Sequence, residues 1–175
     1  MKHYDFARSF HALFEQAVAR YSSGRRGTAN FFSAEEQAFL AANGMSPQHF
    51  YDYAEDRNNY GAPDGETALA IECIRRDYFL NVQQGIAPTV FLNPDTLPSK
   101  TAMVRGMAWL PRLMPKARAK LRGELPPSIM FGCGGDRSFF EQHNIFPAEF
   151  LSLIWRLGPD DAAIVDWVIR RSAAK

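Results

Sequence analysis

The segment whose residue types most directly suggest chemistry is the run Gly132-Cys133-Gly134-Gly135-Asp136-Arg137, which precedes a predicted helix. Its glycines allow backbone amides to approach a bound group closely, and amides at a helix N-terminus attract anions and favour a thiolate. Cys133 is therefore a candidate nucleophile that Arg137 assists, with His143 of the following helix as its base. The alternative interpretation is structural: Cys133 is a small buried residue and Asp136 caps the helix.

A second candidate is the basic stretch 105–122, a predicted helix on which Arg112, Lys116 and Lys120 recur every four residues and share one face. A nucleic acid or another polyanion could bind this face, because neutralising phosphates releases their counterions. A basic face of this kind can also be merely solvated. The spacing alone leaves both interpretations open.

The charge distribution along the chain offers a third interpretation of the basic stretch. Residues 100–125 carry seven basic residues and one acidic residue, whereas residues 33–77 carry three basic and nine acidic residues. The two segments could therefore attract each other. The formal net charge of +1 lacks the basic excess that is usual for nucleic-acid binders, so nucleic-acid binding ranks third among the functions considered.

Three carboxylates, Asp52, Glu55 and Asp56, lie within five residues of a predicted helix. Residues three and four positions apart share a helix face, so a pair of these groups could hold a divalent ion or supply a general base. No histidine lies beside them at a metal-ligand spacing, and we predict no metal or cofactor. Salt bridges are the favoured interpretation, with three arginines available: Arg75, Arg76 and Arg112.

Local signals predict helices throughout the chain. Ser33 to Glu36 has the order of a capping box, and Ser46-Pro47 combines an N-cap with a favoured first helical residue. Six apolar residues from Met103 to Leu121 step by three or four positions, which predicts one continuous helix that Pro111 kinks or restarts. The predicted helices cover about residues 5–21, 33–43, 46–56, 66–84, 103–121, 137–144, 147–157 and 160–172.

The eight helices divide into two sets of four, which suggests an internal repeat. A shift of one hundred positions places Phe39-Leu40 over Phe139-Phe140 and Pro47 over Pro147. The sequence therefore predicts an all-α fold in which two related four-helix halves pack around a shared core. The predicted halves are residues 1–84 and 100–175, joined by a proline-containing linker over 85–99. Chance similarity between amphipathic helices is the alternative.

The run from Trp109 to Gly123, which contains Leu110-Pro111-Arg112 and Lys116-Ala117-Arg118-Ala119, is followed by Cys133, Asp136 and an Arg-Ser-Phe-Phe segment. In this order the motifs resemble the bacterial family named domain of unknown function 5069, and the similarity covers about residues 100–170. The resemblance implies a small bacterial helical protein. It brings no established activity and no catalytic residues.

Composition narrows the class of protein. Hydrophobic residues make up 46% of the 175 residues and charged residues 22%, which excludes disordered, collagen-like and coiled-coil classes. Cys73 and Cys133 are too few for a disulfide framework. No apolar run is long enough to cross a membrane, and the start Met1 to Phe6 lacks the apolar region of a secretory signal, so a cytoplasmic protein is expected.

Three functions stay open on these grounds. The favoured hypothesis is a non-catalytic protein that binds a small anionic ligand or an acidic partner segment. The second is a thiol-dependent enzyme that uses Cys133 with His143. The third is nucleic-acid binding through the helix over 105–122. The predicted ligand-binding residues are Arg112, Lys116, Gly134, Asp136 and Arg137.

Overall fold

A computed structural model describes residues 3–174, and it divides the chain into two compact units, the first ending at Ile86 and the second beginning at Ala87. Eight α-helices lie in the described residues, so the predicted helical fold class is confirmed. None of the helices in this part of the chain combines the length and apolar character that a membrane-spanning helix needs. The division between the units lies inside the predicted linker.

The first unit contains four α-helices, and a side-chain cap marks the start of each except the first. Ser33 and Glu36 form the predicted capping box, with N···O distances of 3.2 and 2.8 Å. Ser46 Oγ accepts from the His49 amide, and Asp64 Oδ1 accepts from the Thr67 amide. The helices are α1 (Phe6–Ser22), α2 (Ala34–Ala42), α3 (Pro47–Tyr60) and α4 (Gly65–Asp77).

The core of the first unit is aromatic and lies where α1 packs against α3. Phe10 of α1 and Phe50 of α3 are both buried, and their ring centroids are 5.2 Å apart. The helix predicted over 66–84 is less regular than expected, because α4 ends at Asp77 and the chain continues as a π-helix over Tyr78–Val82. Inserted π-turns of this kind are rare in α-helices.

The second unit begins with a short hairpin, which corrects the helix predicted from Met103. Strands β1 (Met103–Val104) and β2 (Met107–Ala108) pair antiparallel, with Met103 opposite Ala108. Between them Arg105 and Gly106 both have positive φ, 49° and 80°, which is the requirement of a tight two-residue hairpin turn. The hairpin occupies residues 103–108, so the helix begins only at Leu110. Apolar residues spaced by three and four positions fit either structure, which is why the sequence pattern predicted a helix here.

Four helices complete the second unit: α5 (Leu110–Arg122), α6 (Gly134–Gln142), α7 (Pro147–Leu157) and α8 (Asp161–Ala173). Helix α5 packs against α7, and the buried side chains of Leu113, Leu121, Phe150 and Ile154 belong to this core. Much of the predicted linker also belongs to this unit. Leu97 is buried, and the Leu92 amide donates to the Glu124 carbonyl at 2.8 Å.

Candidate functional site

Cys133, the predicted nucleophile, lies at the N-cap position of α6. Its backbone is extended, with φ −63° and ψ 170°, but its side chain does not cap the helix. Instead, the Lys116 ammonium donates to the thiol, with 3.2 Å between Nζ and Sγ. Cys133 is partly exposed, so the sulfur combines a cationic neighbour, a helix N-terminus and access from solvent.

Lys116 is held beside the sulfur by a buried ion pair. Its Nζ lies 2.7 Å from Asp136 Oδ2, and the side chains of Lys116 and Asp136 are 4% and 0% exposed. Asp136 belongs to the first turn of α6, and Lys116 extends from α5. A buried charge is stable in a protein only when it is paired and hydrogen-bonded, so the pair fixes the position of the ammonium.

Asp136 accepts two further hydrogen bonds besides its contact with Lys116. Trp109 Nε1 donates to Oδ1 at 2.9 Å, and the Gly132 amide donates to Oδ2 at 2.8 Å. Three donors satisfy most of the acceptor capacity of a buried carboxylate. We call Trp109, Lys116, Gly132, Cys133 and Asp136 the Cys133 site.

Glycine at position 135 allows Trp109 to reach Asp136. A Cβ atom at Gly135 would lie 2.4 Å from Cζ2 of the Trp109 indole, closer than any side chain permits. Trp109 itself has a φ of 71°, a conformation that costs energy for a bulky residue. Arg137 Nη1 donates to the Gly132 carbonyl at 2.7 Å and closes the loop. Gly135 thus serves the packing of the Trp109 ring.

His143 is not brought to Cys133. It lies at the C-cap of α6, ten residues and about 15 Å further along the helix axis. Its Nδ1 lies 2.8 Å from Ser172 Oγ, and its ring packs on Phe139 with centroids 4.4 Å apart. The prediction that His143 acts as the base for Cys133 is therefore wrong. Asp136 is also not the N-cap residue that the sequence predicts, because it lies in the first turn of α6 and Cys133 occupies the N-cap position.

The predicted basic face of α5 is not a solvent-exposed stripe. Lys116 and Lys120 are both buried, at 3% and 6% exposure. Arg112 Nη1 donates to the Pro98 carbonyl at 2.8 Å. Arg118 pairs with Asp161 at 2.5 Å, and Arg122 pairs with Glu124 at 2.7 Å. Four of these cations have partners inside the second unit, which accounts for them without a polyanion: Arg112, Lys116, Arg118 and Arg122.

The residues predicted to hold an anion are placed differently from expectation. Lys116 and Asp136 neutralise each other, while Arg112 and Arg137 each donate to a backbone carbonyl. Gly134 is exposed at the start of α6. The structure therefore gathers Lys116 and Asp136 beside Cys133 as an internal polar cluster, next to the exposed Gly134 at the start of α6.

Two carboxylates of the α3 cluster accept hydrogen bonds from uncharged side chains, one of which lies on α1. Asp52 accepts from Gln48 Nε2 at 2.8 Å, and Glu55 accepts from the Tyr21 hydroxyl at 3.0 Å. Asp56 also has an interaction partner and is half-buried. Arg75 and Arg76 instead donate to the side-chain oxygens of Gln83 and Asn43. Within residues 3–174, no group of three or more potential metal ligands is assembled.

Sequence reasoning missed Trp109 and the contact between Lys116 and Cys133. The sequence places Lys116 on a basic helix face open to several interpretations, although Leu113, Ala117 and other small or apolar residues surround it. That composition was the available signal for burial. Comparison of the chain with protein-family models, with curated proteins and with solved structures finds no match.

Proposed function

We propose that this chain acts through Cys133 as a reactive thiol in two-electron redox chemistry. The observation that carries the proposal is the 3.2 Å contact between Lys116 Nζ and Cys133 Sγ. An adjacent cation and a helix N-terminus both stabilise a thiolate relative to a thiol, and the thiolate is the nucleophile. Partial exposure of Cys133 gives a small oxidant access to the sulfur.

The surroundings of the thiol favour redox chemistry over hydrolysis. Hydrolysis through a thiol requires a general base or acid for the leaving group, and histidine commonly supplies it. His143 is the single histidine of residues 87–175, and it lies at the far end of α6. Reduction of a peroxide requires only a thiolate and one proton for the departing hydroxide. Lys116 carries such a proton next to the sulfur.

Alkylation rates test the proposal, because the chain supplies its own control thiol. Cys73 is exposed on α4, and partial desolvation raises the pKa of its thiol above the usual value. We expect iodoacetamide at pH 7 to label Cys133 about tenfold faster than Cys73. Variants Cys73→Ser and Cys133→Ser isolate each thiol. Equal rates for the two would overturn the proposal.

A double variant tests whether Lys116 is the cause of the reactivity. Lys116→Met with Asp136→Asn removes both charges of the buried pair and leaves no unpaired ion. The alkylation of Cys133 should then slow by about tenfold, while that of Cys73 stays unchanged. Circular dichroism verifies the helices. Trapping of a sulfenic acid at Cys133 by dimedone after peroxide treatment tests the redox assignment itself.

A second candidate function is the binding of a small anion at the start of α6. Its specific support is that Cys133 gives no side-chain cap, so the first-turn amides near the exposed Gly134 can serve an anionic ligand. Inorganic phosphate is the probe. If this function holds, phosphate slows the alkylation of Cys133 but not that of Cys73, and Arg137→Ala weakens the protection.

We also propose that the two halves descend from a duplication. Helices α2 (Ala34–Ala42) and α6 (Gly134–Gln142) begin and end one hundred positions apart. The third residue of each is a carboxylate paired with a cation of the preceding helix: Glu36 with Arg20, and Asp136 with Lys116. Superposing α1 to α4 on α5 to α8 in a crystal structure is the test.

The remaining expectations stay predictions. These are the shared core, the attraction between the acidic and basic segments, the membership of the 5069 family and the cytoplasmic location. Nucleic-acid binding along α5 also stays a prediction, and the burial of Lys116 and Lys120 disfavours it. A filter-binding measurement whose affinity falls steeply with salt would support it.

A further inference from the structure

We propose that oxidation of Cys133 is followed by a covalent bond between its sulfur and the side-chain nitrogen of Lys116, which makes the Cys133 site a reversible redox crosslink. The inference rests on the proposed reactive thiol and adds a regulatory product to it. It requires one co-reactant, a peroxide. The product is a sulfenyl amide that joins α5 to α6.

The geometry places the two reacting atoms together before any oxidation. Lys116 Nζ and Cys133 Sγ are 3.2 Å apart, close to the contact distance at which bond formation needs little further movement. Lys116 is 4% exposed on its side chain, and its ion pair with Asp136 restricts its alternatives. The nitrogen is therefore the neighbouring nucleophile that an oxidised sulfur meets inside the protein.

The first step oxidises the sulfur and deprotonates the lysine. The Cys133 thiolate attacks one oxygen of the peroxide, an S–O bond forms and the O–O bond breaks. The leaving hydroxide takes a proton from the Lys116 ammonium and departs as water. The sulfur has lost two electrons to the peroxide and is now a sulfenic acid, and Lys116 is a neutral amine.

The second step needs no further oxidant. The Lys116 nitrogen attacks the sulfur, an S–N bond forms and the S–O bond breaks. The hydroxyl leaves as water together with one proton of the amine. Sulfenic acids are known to condense with a backbone nitrogen to a sulfenamide, and the same bond exchange applies to an amine. Cys133, Lys116 and Asp136 together carry one negative charge before the first step and after the second, so the buried cluster gains no charge.

The crosslink would protect the thiol. A sulfenic acid that stays exposed to peroxide proceeds to sulfinic and sulfonic acids, which thiols do not reduce. An S–N bond stops this progression, and a small thiol can reopen it by attacking the sulfur. The buried pair thus has a second use beyond holding the Lys116 ammonium beside the sulfur.

The test treats the full chain carrying Cys73→Ser with hydrogen peroxide and follows intact mass and tryptic peptides. This background excludes an internal disulfide, which would have the same mass change. The expected product has lost two hydrogens, trypsin no longer cleaves after Lys116, and one peptide pair contains both Lys116 and Cys133. Dithiothreitol restores the original mass and cleavage.

A matched variant separates the crosslink from the reactive thiol. Lys116→Arg keeps a cation at the position but removes the amine, so Cys133 should gain oxygen and form no crosslink. Peptide mapping of the protein that keeps Lys116 decides the question even where this variant does not fold. Oxygen retained on Cys133 with normal cleavage after Lys116 would overturn the crosslink and leave the thiol proposal standing. An unmodified Cys133 would overturn both.

Discussion

Glu36 accepts two hydrogen bonds from the guanidinium of Arg20, each with an N···O distance of 2.7 Å. The same carboxylate accepts a hydrogen bond from the Ser33 amide at the start of α2. One side chain therefore both caps that helix and connects it to α1. Paired hydrogen bonds between Arg and a carboxylate are among the stronger polar contacts in proteins. The guanidinium holds the pKa of Glu36 below its usual range.

This lowered pKa predicts acid sensitivity of the first unit. A carboxyl with a lowered folded-state pKa stabilises the fold above its usual range, and that stabilisation is lost as the pH falls through the folded-state pKa. Glu36→Gln should cost about 1–2 kcal/mol at pH 7 and flatten the decline in acid. Urea unfolding at a series of pH values measures both. Glu15→Gln, at an exposed position of α1, is the control of equal charge change.

Gly135→Ala should destabilise the protein, because its Cβ would lie 2.4 Å from the Trp109 ring. Overpacking of this kind costs about 1–3 kcal/mol. Gly134→Ala is the matched control, since the nearest atom to a Cβ there is Arg137 Nη2 at 3.8 Å. Alanine at that position should be neutral or slightly stabilising. Urea unfolding followed by tryptophan fluorescence compares the two, and equal stabilities would contradict the described packing.

Breaking the Lys116 and Asp136 pair on one side should be severe. Asp136→Ala leaves a buried ammonium without its carboxylate, a change that costs about 3–5 kcal/mol. The double variant Lys116→Met with Asp136→Asn should recover much of this loss. Arg118→Met with Asp161→Asn is the surface comparison, because Asp161 is 59% exposed, and it should cost less than about 1 kcal/mol. A single variant as stable as the double would refute the burial argument.

The buried hydroxyl of Tyr53 predicts that the protein loses stability at alkaline pH. That hydroxyl donates to Glu72 Oε1 at 2.8 Å, and burial raises the pKa of Tyr53 well above its usual value. A raised folded-state pKa stabilises the fold below the usual pKa, and this contribution is lost as the pH rises beyond it. Tyr53→Phe should cost about 1–3 kcal/mol at pH 7 and reduce the alkaline loss of stability.

The control for this variant is Tyr51→Phe on the same helix. The Tyr51 hydroxyl accepts only a long hydrogen bond from the Gly27 amide, at 3.3 Å. We expect a change below about 1 kcal/mol. Guanidinium unfolding at pH 7 and at alkaline pH provides the comparison. Similar losses for both tyrosine variants would show that the buried hydroxyl of Tyr53 has no special role.

The helix starts were predictable where one short polar side chain or a proline determines them. Three such side chains accept a hydrogen bond from a backbone amide of the following turn: Ser33, Asp64 and Asp160. This geometry depends on neighbouring residues alone. The hairpin over 103–108 was not predicted, because the apolar spacing of Met103 and Met107 also fits a helix. The positive φ of Arg105 was the deciding feature, and residue type barely signals it.

The candidate site was predictable in membership but not in arrangement. Lys116, Cys133 and Asp136 are all candidates on sequence grounds, with Cys133 and Asp136 in the glycine-containing loop and Lys116 on the basic helix, but the contact between Lys116 and Cys133 is not predicted. Their convergence depends on how α5 packs beside the loop before α6, a tertiary relationship seventeen residues apart along the chain. The error over His143 has a local origin, since α6 begins at Gly134 and carries that residue to its far end.

Cys133 occupies a position that Ser33 fills in the first unit, and only the serine side chain bonds to its helix. In the variant Cys133→Ser, a hydroxyl oxygen at this position could accept a hydrogen bond from an amide of the first turn and cap α6. The second unit therefore lacks a side-chain cap at this end of α6, and a serine variant would gain that hydrogen bond at the loss of the thiol.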